Sequence, residues 1–107
     1  MILLVIKWLP RSVSAMALYP FVLLKYRDLS TNSVLLNHEK IHLRQQIELL
    51  VLPFYIWYFL EYIVRLLQYR NHQQAYLNIC FEREAYTNEK DFNYLKKRTW
   101  LMILKYV

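Results

Sequence analysis

Apolar and polar positions divide the chain into a short N-terminal region followed by helices. From Val13 to Leu24 the sequence is apolar and uncharged for about 12 residues, fewer than the roughly 20 a membrane-crossing helix requires. Pro20 inside this stretch argues against a helix interior and for an edge strand, with Met16 to Tyr26 as the candidate segment. Asp28 to Ser33 supplies turn and N-cap residues just before apolar positions resume at Val34, which predicts a helix from about Asn32 to Leu52, ended or kinked by Pro53. On it Val34, Leu35, Ile41 and Leu49 are expected to pack inward. Lys40, Arg44 and Glu48 face away, with Arg44 and Glu48 as a weak surface pair. Phe54 to Tyr69 is apolar and crowded with aromatics, interrupted by Glu61 and Arg65. The polar run Arg70 to Gln74 separates it from a predicted helix over about Gln73 to Glu89. Asp91 is placed to cap a last helix in which Phe92, Leu95, Thr99, Met102 and Tyr106 recur at helical spacing among Lys96, Lys97, Arg98 and Lys105. The fold class expected is mainly α, one minimal helical domain over 1–107, with a short strand or hairpin in region 13–27 and principal helices at 32–52 and 73–89.

The chemistry concentrates in Asn37-His38-Glu39-Lys40-Ile41-His42, an H-E-x-x-H spacing inside a predicted helix. His38 and His42 lie one turn apart, so both imidazoles leave one face and can hold one metal ion, with Glu39 beside them. Imidazole suits Zn2+, and a neighbouring carboxylate can take the proton of a water that the metal activates, which is the chemistry of a zinc peptidase site. A chain this short shows the pattern by accident in roughly a few cases per thousand. Two histidines require a further protein ligand. The compact form ending in G-x-x-H is excluded, because the chain has no glycine and no histidine at that place. The best candidate segment is Phe81-Glu82-Arg83-Glu84-Ala85-Tyr86, with two carboxylates on a predicted helix.

The pairing of His38-Glu39-x-x-His42 with Glu82-x-x-Ala85 resembles the gluzincins, in particular membrane zinc endopeptidases whose second motif is E-x-x-A-D. Gln45-Gln46 is similar to a Gln pair found in small gluzincin-like domains. The resemblance covers about half the chain, from Asn37 to Tyr86. It implies a zincin-like domain with Glu82 as third zinc ligand, Glu39 as proton acceptor, and a small Ala85 that lets two helices approach. Glu84 is the weaker alternative ligand. Tyr86 stands where that family has an Asp supporting a ligand histidine. In such peptidases an edge strand beside the motif helix pairs with the substrate backbone.

Composition narrows the remaining choices. Of 107 residues, 57 % are hydrophobic and 17 % aromatic, and a lone Cys80 excludes an internal disulfide, leaving packing and metal to hold the fold. Cys80 reads as a small buried hydrophobe. The formal charge of +6 comes from dispersed bases without a nucleic-acid signature, so the partners expected are a peptide or protein substrate and a membrane surface, with no nucleic acid. Lys7 and Arg11 interrupt the largely apolar run from Met1 to Leu24 and no signal peptide is read there; a membrane-associated position on the intracellular face is expected. The aromatic Phe54–Tyr69 stretch suits either an interfacial helix or a buried one, since Trp and Tyr favour the membrane–water boundary. His72 is the only other histidine and a candidate oxyanion stabiliser, in competition with Tyr76 and Tyr86. The function expected is zinc-dependent peptide hydrolysis. Its rivals are a degenerate zinc-binding protein and a membrane-surface interaction protein.

Overall fold

The computed structural model describes residues 2–10 and 13–107; Arg11, one of the two charges interrupting the run from Met1 to Leu24, lies outside them. Three short strands, β1 (Ile2–Val5), β2 (Ala15–Leu18) and β3 (Phe21–Leu24), precede five helices: α1 (Ser33–Leu49), α2 (Val51–Tyr69), α3 (His72–Leu77), α4 (Cys80–Asn88) and α5 (Tyr94–Lys97). The protein is mainly α with a small N-terminal sheet. Its strand order is β1-β3-β2, with β3 antiparallel to β2 and parallel to β1.

The segment 16–26 is therefore a hairpin rather than one edge strand. Pro20 sits in the two-residue turn between Leu18 and Phe21, which pair directly, so the missing N–H costs the ladder nothing. The outer strand beside α1 is β2, while β3 is central and buries Val22 and Leu24 against Ala17 and Leu43. The pairing of β1 with β3 was not predicted, because its exposed apolar side chains give no alternation.

Asn32 caps α1 by accepting a hydrogen bond from the Leu35 amide at 3.1 Å. The helix ends at Leu49, three residues earlier than expected, and Pro53 does not end it. Pro53 lies in the first turn of α2, where an amide has no helical partner to lose. The break falls at Leu50, whose φ of 66° and ψ of 151° lie where glycine is ordinarily needed. In a chain without glycine that position carries strain of roughly 1–3 kcal/mol. It turns α2 by 111° from α1.

The inward face of α1 is more polar than its apolar spacing predicts. Ile41 is fully buried but Val34, Leu35 and Leu49 are only half-buried, and the other buried positions include Asn37, His38, Glu39, His42, Gln45 and Gln46. The predicted 73–89 helix is two helices, interrupted at Asn78 and Ile79, where the fully buried Ile79 joins Phe54, Phe81 and Ile103 in the main apolar cluster. The last helix is also shorter than predicted. After Lys97 the backbone extends at Arg98 because that guanidinium turns inward to pair with Glu84 and Glu48, all three side chains having no solvent exposure. Glu48 thus belongs to a buried ion-pair group instead of a surface pair with Arg44. Asp91 caps no long helix; its carboxylate accepts from the Asn93 amide and pairs with Lys97.

Candidate metal centre

Three elements bring the ligand atoms together. α1 presents both histidines, α4 crosses it to present Glu82, and α2 closes the far side with Tyr58. His38 Nε2 and His42 Nε2 are 3.2 Å apart, and each lies 3.1 Å from Glu82 Oε1. All three residues are buried. A tetrahedral ion with bonds of about 2.0–2.1 Å sets its ligand atoms about 3.3 Å apart, close to this triangle.

The outer nitrogens decide what the inner ones can do. His38 Nδ1 lies 2.9 Å from Glu89 Oε2, and His42 Nδ1 lies 2.8 Å from Gln45 Oε1, both acceptors. The Gln45 amide is fixed in that orientation because its NH2 donates to the Phe81 carbonyl and to Glu84 Oε1. Each ring therefore donates its Nδ1 proton outward, and a neutral ring turns the Nε2 lone pair inward. Two lone pairs and a carboxylate oxygen then face one another within hydrogen-bond distance with no proton between them. Only a shared cation relieves that arrangement, either a proton or a metal ion. The donor set of two imidazoles and one carboxylate fits a divalent ion such as zinc.

The local charges agree with the geometry. Burial works against a charged His42, but the Glu82 carboxylate outweighs it and lifts His42 to about 9. Burial likewise disfavours the Glu82 charge, yet the two imidazoles hold that carboxyl well below the usual range. These are two views of one attraction. Tyr58 donates to the second oxygen, Oε2, at 2.6 Å and so leaves Oε1 for the centre; burial and the Glu82 charge push its own hydroxyl far up. Burial also raises Glu39, against the pull of the two histidines, so this carboxyl is a stronger base than an ordinary glutamate.

A cavity of about 660 Å³ opens onto the triangle. His38, Glu39 and His42 line it from α1, Tyr55, Tyr58 and Tyr62 from α2, Tyr76 from α3, and Glu82 and Tyr86 from α4; residues 13–17 form the wall at β2. Compared with known proteins, the chain matches no family model, no curated protein and no solved structure.

His38, His42 and Glu82 are brought together, with Glu39 beside them in the cavity wall. Glu84, two residues on, turns to Arg98, Tyr94 and Gln45 and away from the centre. His72 also lines the cavity but is exposed and engaged by the Tyr62 hydroxyl at 2.7 Å, with no contact to the triangle. Tyr86 sets its ring edge-on to His38, with centroids 4.5 Å apart, and its hydroxyl lies 3.2 Å from that of Tyr76. The acidic partner that the resemblance places at position 86 comes instead from Glu89. Glu89 is seven residues after Glu82, two turns along the same face, which is the signal that could have found it. Gln45 and Tyr58 were missed as supports of the centre. Gln45 could have been found at three residues from His42, but nothing in the sequence ties Tyr58 to Glu82.

The outward backbone edge of β2 in the cavity wall is occupied at Ala17 and leaves Ala15 toward the cavity. The Lys25 amide donates to the Ser14 carbonyl, so by the antiparallel alternation Met16 and Leu18 bond to β3, and Ala15 and Ala17 turn their backbone groups away from it. Gln46 on α1 fixes this edge: its amide donates to the Ala17 carbonyl at 2.9 Å and accepts from the Tyr19 amide at 2.7 Å. The Tyr55 hydroxyl also donates to Ala17.

Proposed function

We propose that this chain is a zinc-dependent hydrolase of gluzincin type that cuts peptide bonds with water. The observation that carries the reading is the convergence of the two Nε2 lone pairs and Glu82 Oε1 on one point, with both Nδ1 protons committed outward to Glu89 and Gln45. His38, His42 and Glu82 would hold the ion. When bound, such an ion supplies Lewis-acid polarisation of a carbonyl and makes a water more acidic.

The chain's own residues do the remainder. Glu39, raised by burial, accepts the proton of the attacking water and returns it to the leaving amine. Glu89 and Gln45 hold the two rings in the tautomer that ligates. Tyr58 fixes the Glu82 carboxylate. An extended peptide can add along β2 through the backbone groups of Ala15, in the manner of strand addition. Tyr76 and Tyr86 stand in the cavity wall as hydroxyl donors better placed than His72, which is bound to Tyr62.

The test is zinc content by elemental analysis together with cleavage of a fluorogenic peptide library, on the parent protein, Glu39→Gln and Glu82→Ala. About one zinc in the parent and in Glu39→Gln, less in Glu82→Ala, and cleavage by the parent alone are expected. A Glu39→Gln protein that cleaves at the parent rate would sink the proposal. Zinc without cleavage in the parent would mark the ion as a structural staple.

A further inference from the structure

The polarity of α2 is inverted relative to a water-facing helix. Over about its first three and a half turns the hydrogen-bonding side chains turn to the rest of the protein, Tyr58 to Glu82, Tyr62 to His72, and Glu61 to the Cys80 amide and Arg65, while Gln68 and Tyr69 near its end are exposed. The outward arc runs from Leu52 through Ile56, Phe59, Leu60 and Val64 to Leu67, with exposures from 50 to 74 %. At the helical repeat these side chains fall within a sector of about 140°, over a helix about 28 Å long. No charged side chain interrupts the sector before Arg70, the exposed residue at its C-terminal end. A helix facing water places its apolar stripe toward the core, and a continuous exposed stripe of this kind marks a binding face. The Tyr55, Trp57 and Tyr58 rings, which the sequence left between an interfacial and a buried position, pack inward against the main cluster, and the aliphatic positions with Phe59 are what remain outside.

Charge selects the partner. Glu39, Glu82 and Glu84 are buried, Glu48 has no side-chain exposure, and Glu61 and Glu89 are engaged by Arg65 and His38. Asp28 is exposed and Asp91 is partly exposed and paired with Lys97, against eight exposed basic residues among those described. The outer surface is thus more positive than the formal +6 indicates. A second copy of this chain would bring two such surfaces together at a cost in repulsion, whereas an anionic surface neutralises them.

We propose that the outward arc of α2 beds into the interfacial layer of an anionic lipid bilayer, lying along its plane, with Arg70 at the end of the arc meeting the headgroups. No single helix among the described residues is long and apolar enough to cross a membrane, and a helix lying in the interface needs no such length. Long basic side chains reach headgroups while their methylenes stay in the apolar layer. The inference rests on the faces of α2 and is independent of hydrolysis.

The test is co-sedimentation of the full chain with vesicles of phosphatidylcholine containing phosphatidylglycerol and with vesicles of phosphatidylcholine alone. The parent and a Phe59→Gln/Leu67→Gln variant are compared, with Glu39→Gln as a control for the cavity. Each large apolar side chain withdrawn from the layer weakens binding about tenfold, so the double variant loses on the order of a hundredfold. Both positions are exposed, and an unchanged circular dichroism spectrum shows that the variant folds. Binding to the anionic vesicles that weakens with salt and is kept by Glu39→Gln is the expected result. Absent vesicle binding, equal binding to neutral vesicles, an unaffected double variant, or a lipid-free dimer that the same substitutions dissolve would each overturn the proposal.

Discussion

Replacing Arg98 by methionine removes the only cation from a buried site that holds two carboxylates. Arg98 Nη2 lies 3.1 Å from Glu84 Oε1, its Nε bonds Glu84 Oε2, and its Nη1 bonds Glu48. The consequences for the two acids differ. Glu84 keeps donors from Tyr94 at 2.6 Å and Gln45 at 2.9 Å, whereas Glu48 Oε1 already has no partner and Oε2 loses the guanidinium. Methionine fills the space of the arginine stem but not that of the guanidinium, so a buried void adds to the electrostatic cost. Breaking a buried pair by removing one partner costs about 3–5 kcal/mol, a large part of the roughly 5–15 kcal/mol of a typical domain. In the parent, burial opposes the Glu84 charge but Arg98 outweighs it and lowers the carboxyl below 4.5. Parent stability from this group is therefore whole above 4.5 and falls as pH drops through the lower folded value. In Arg98→Met burial prevails over the remaining donors and raises the Glu84 carboxyl instead, so the penalty is greatest at neutral pH and shrinks on acidification. Urea denaturation followed by circular dichroism at pH 7.5 and pH 5.5, with chelator present, reads both effects. A variant within about 1 kcal/mol of the parent at pH 7.5, or a deficit that grows toward pH 5.5, would refute the assignment.

Two further results are expected. In chelator-treated protein His42, lifted by Glu82 from 6.5 to about 9, contributes on the order of 3 kcal/mol that is whole below pH 6.5 and gone above pH 9, whereas zinc-loaded protein shows no such decline; thermal melts across that window check it. Glu89→Gln keeps a hydrogen bond to His38 but removes its charge, so zinc affinity by competition with a chromophoric chelator falls about 10-fold or more, and unchanged affinity would dismiss Glu89 as the ring's support.

The legible parts of the molecule are those fixed by local spacing. The His38–His42 turn, the Asn32 cap and the hairpin region depend on neighbours within a few residues, and the sequence carries those neighbours. What stayed hidden depends on partners far along the chain. Leu50 takes a conformation usually reserved for glycine, so the α1–α2 corner has no glycine to mark it and Pro53 drew the boundary instead. Arg98 sits among exposed lysines in sequence and looks like them, and only the convergence of Glu48 and Glu84 from two helices gives it a reason to be buried. α1 misleads in the same manner: its buried polar side chains find partners far along the chain, Asn37 at the Glu89 carbonyl, Gln45 at α4 and Gln46 at Ala17 and Tyr19, so hydrophobic periodicity understates how enclosed it is.

Gln45 and Gln46 are neighbours on α1 and point to opposite layers. Gln45 ties His42 to α4 and to the Glu84 site that anchors the C-terminal segment, and Gln46 ties the outer strand to the same helix. The distance from the ligands to the strand edge is thus gauged along one turn of one helix, not by the small sheet itself. Inserting a single residue between His42 and Gln45 would rotate both amides by about 100° and detach strand and tail at once, while lengthening the chain between Val5 and Ala15 would leave that gauge intact.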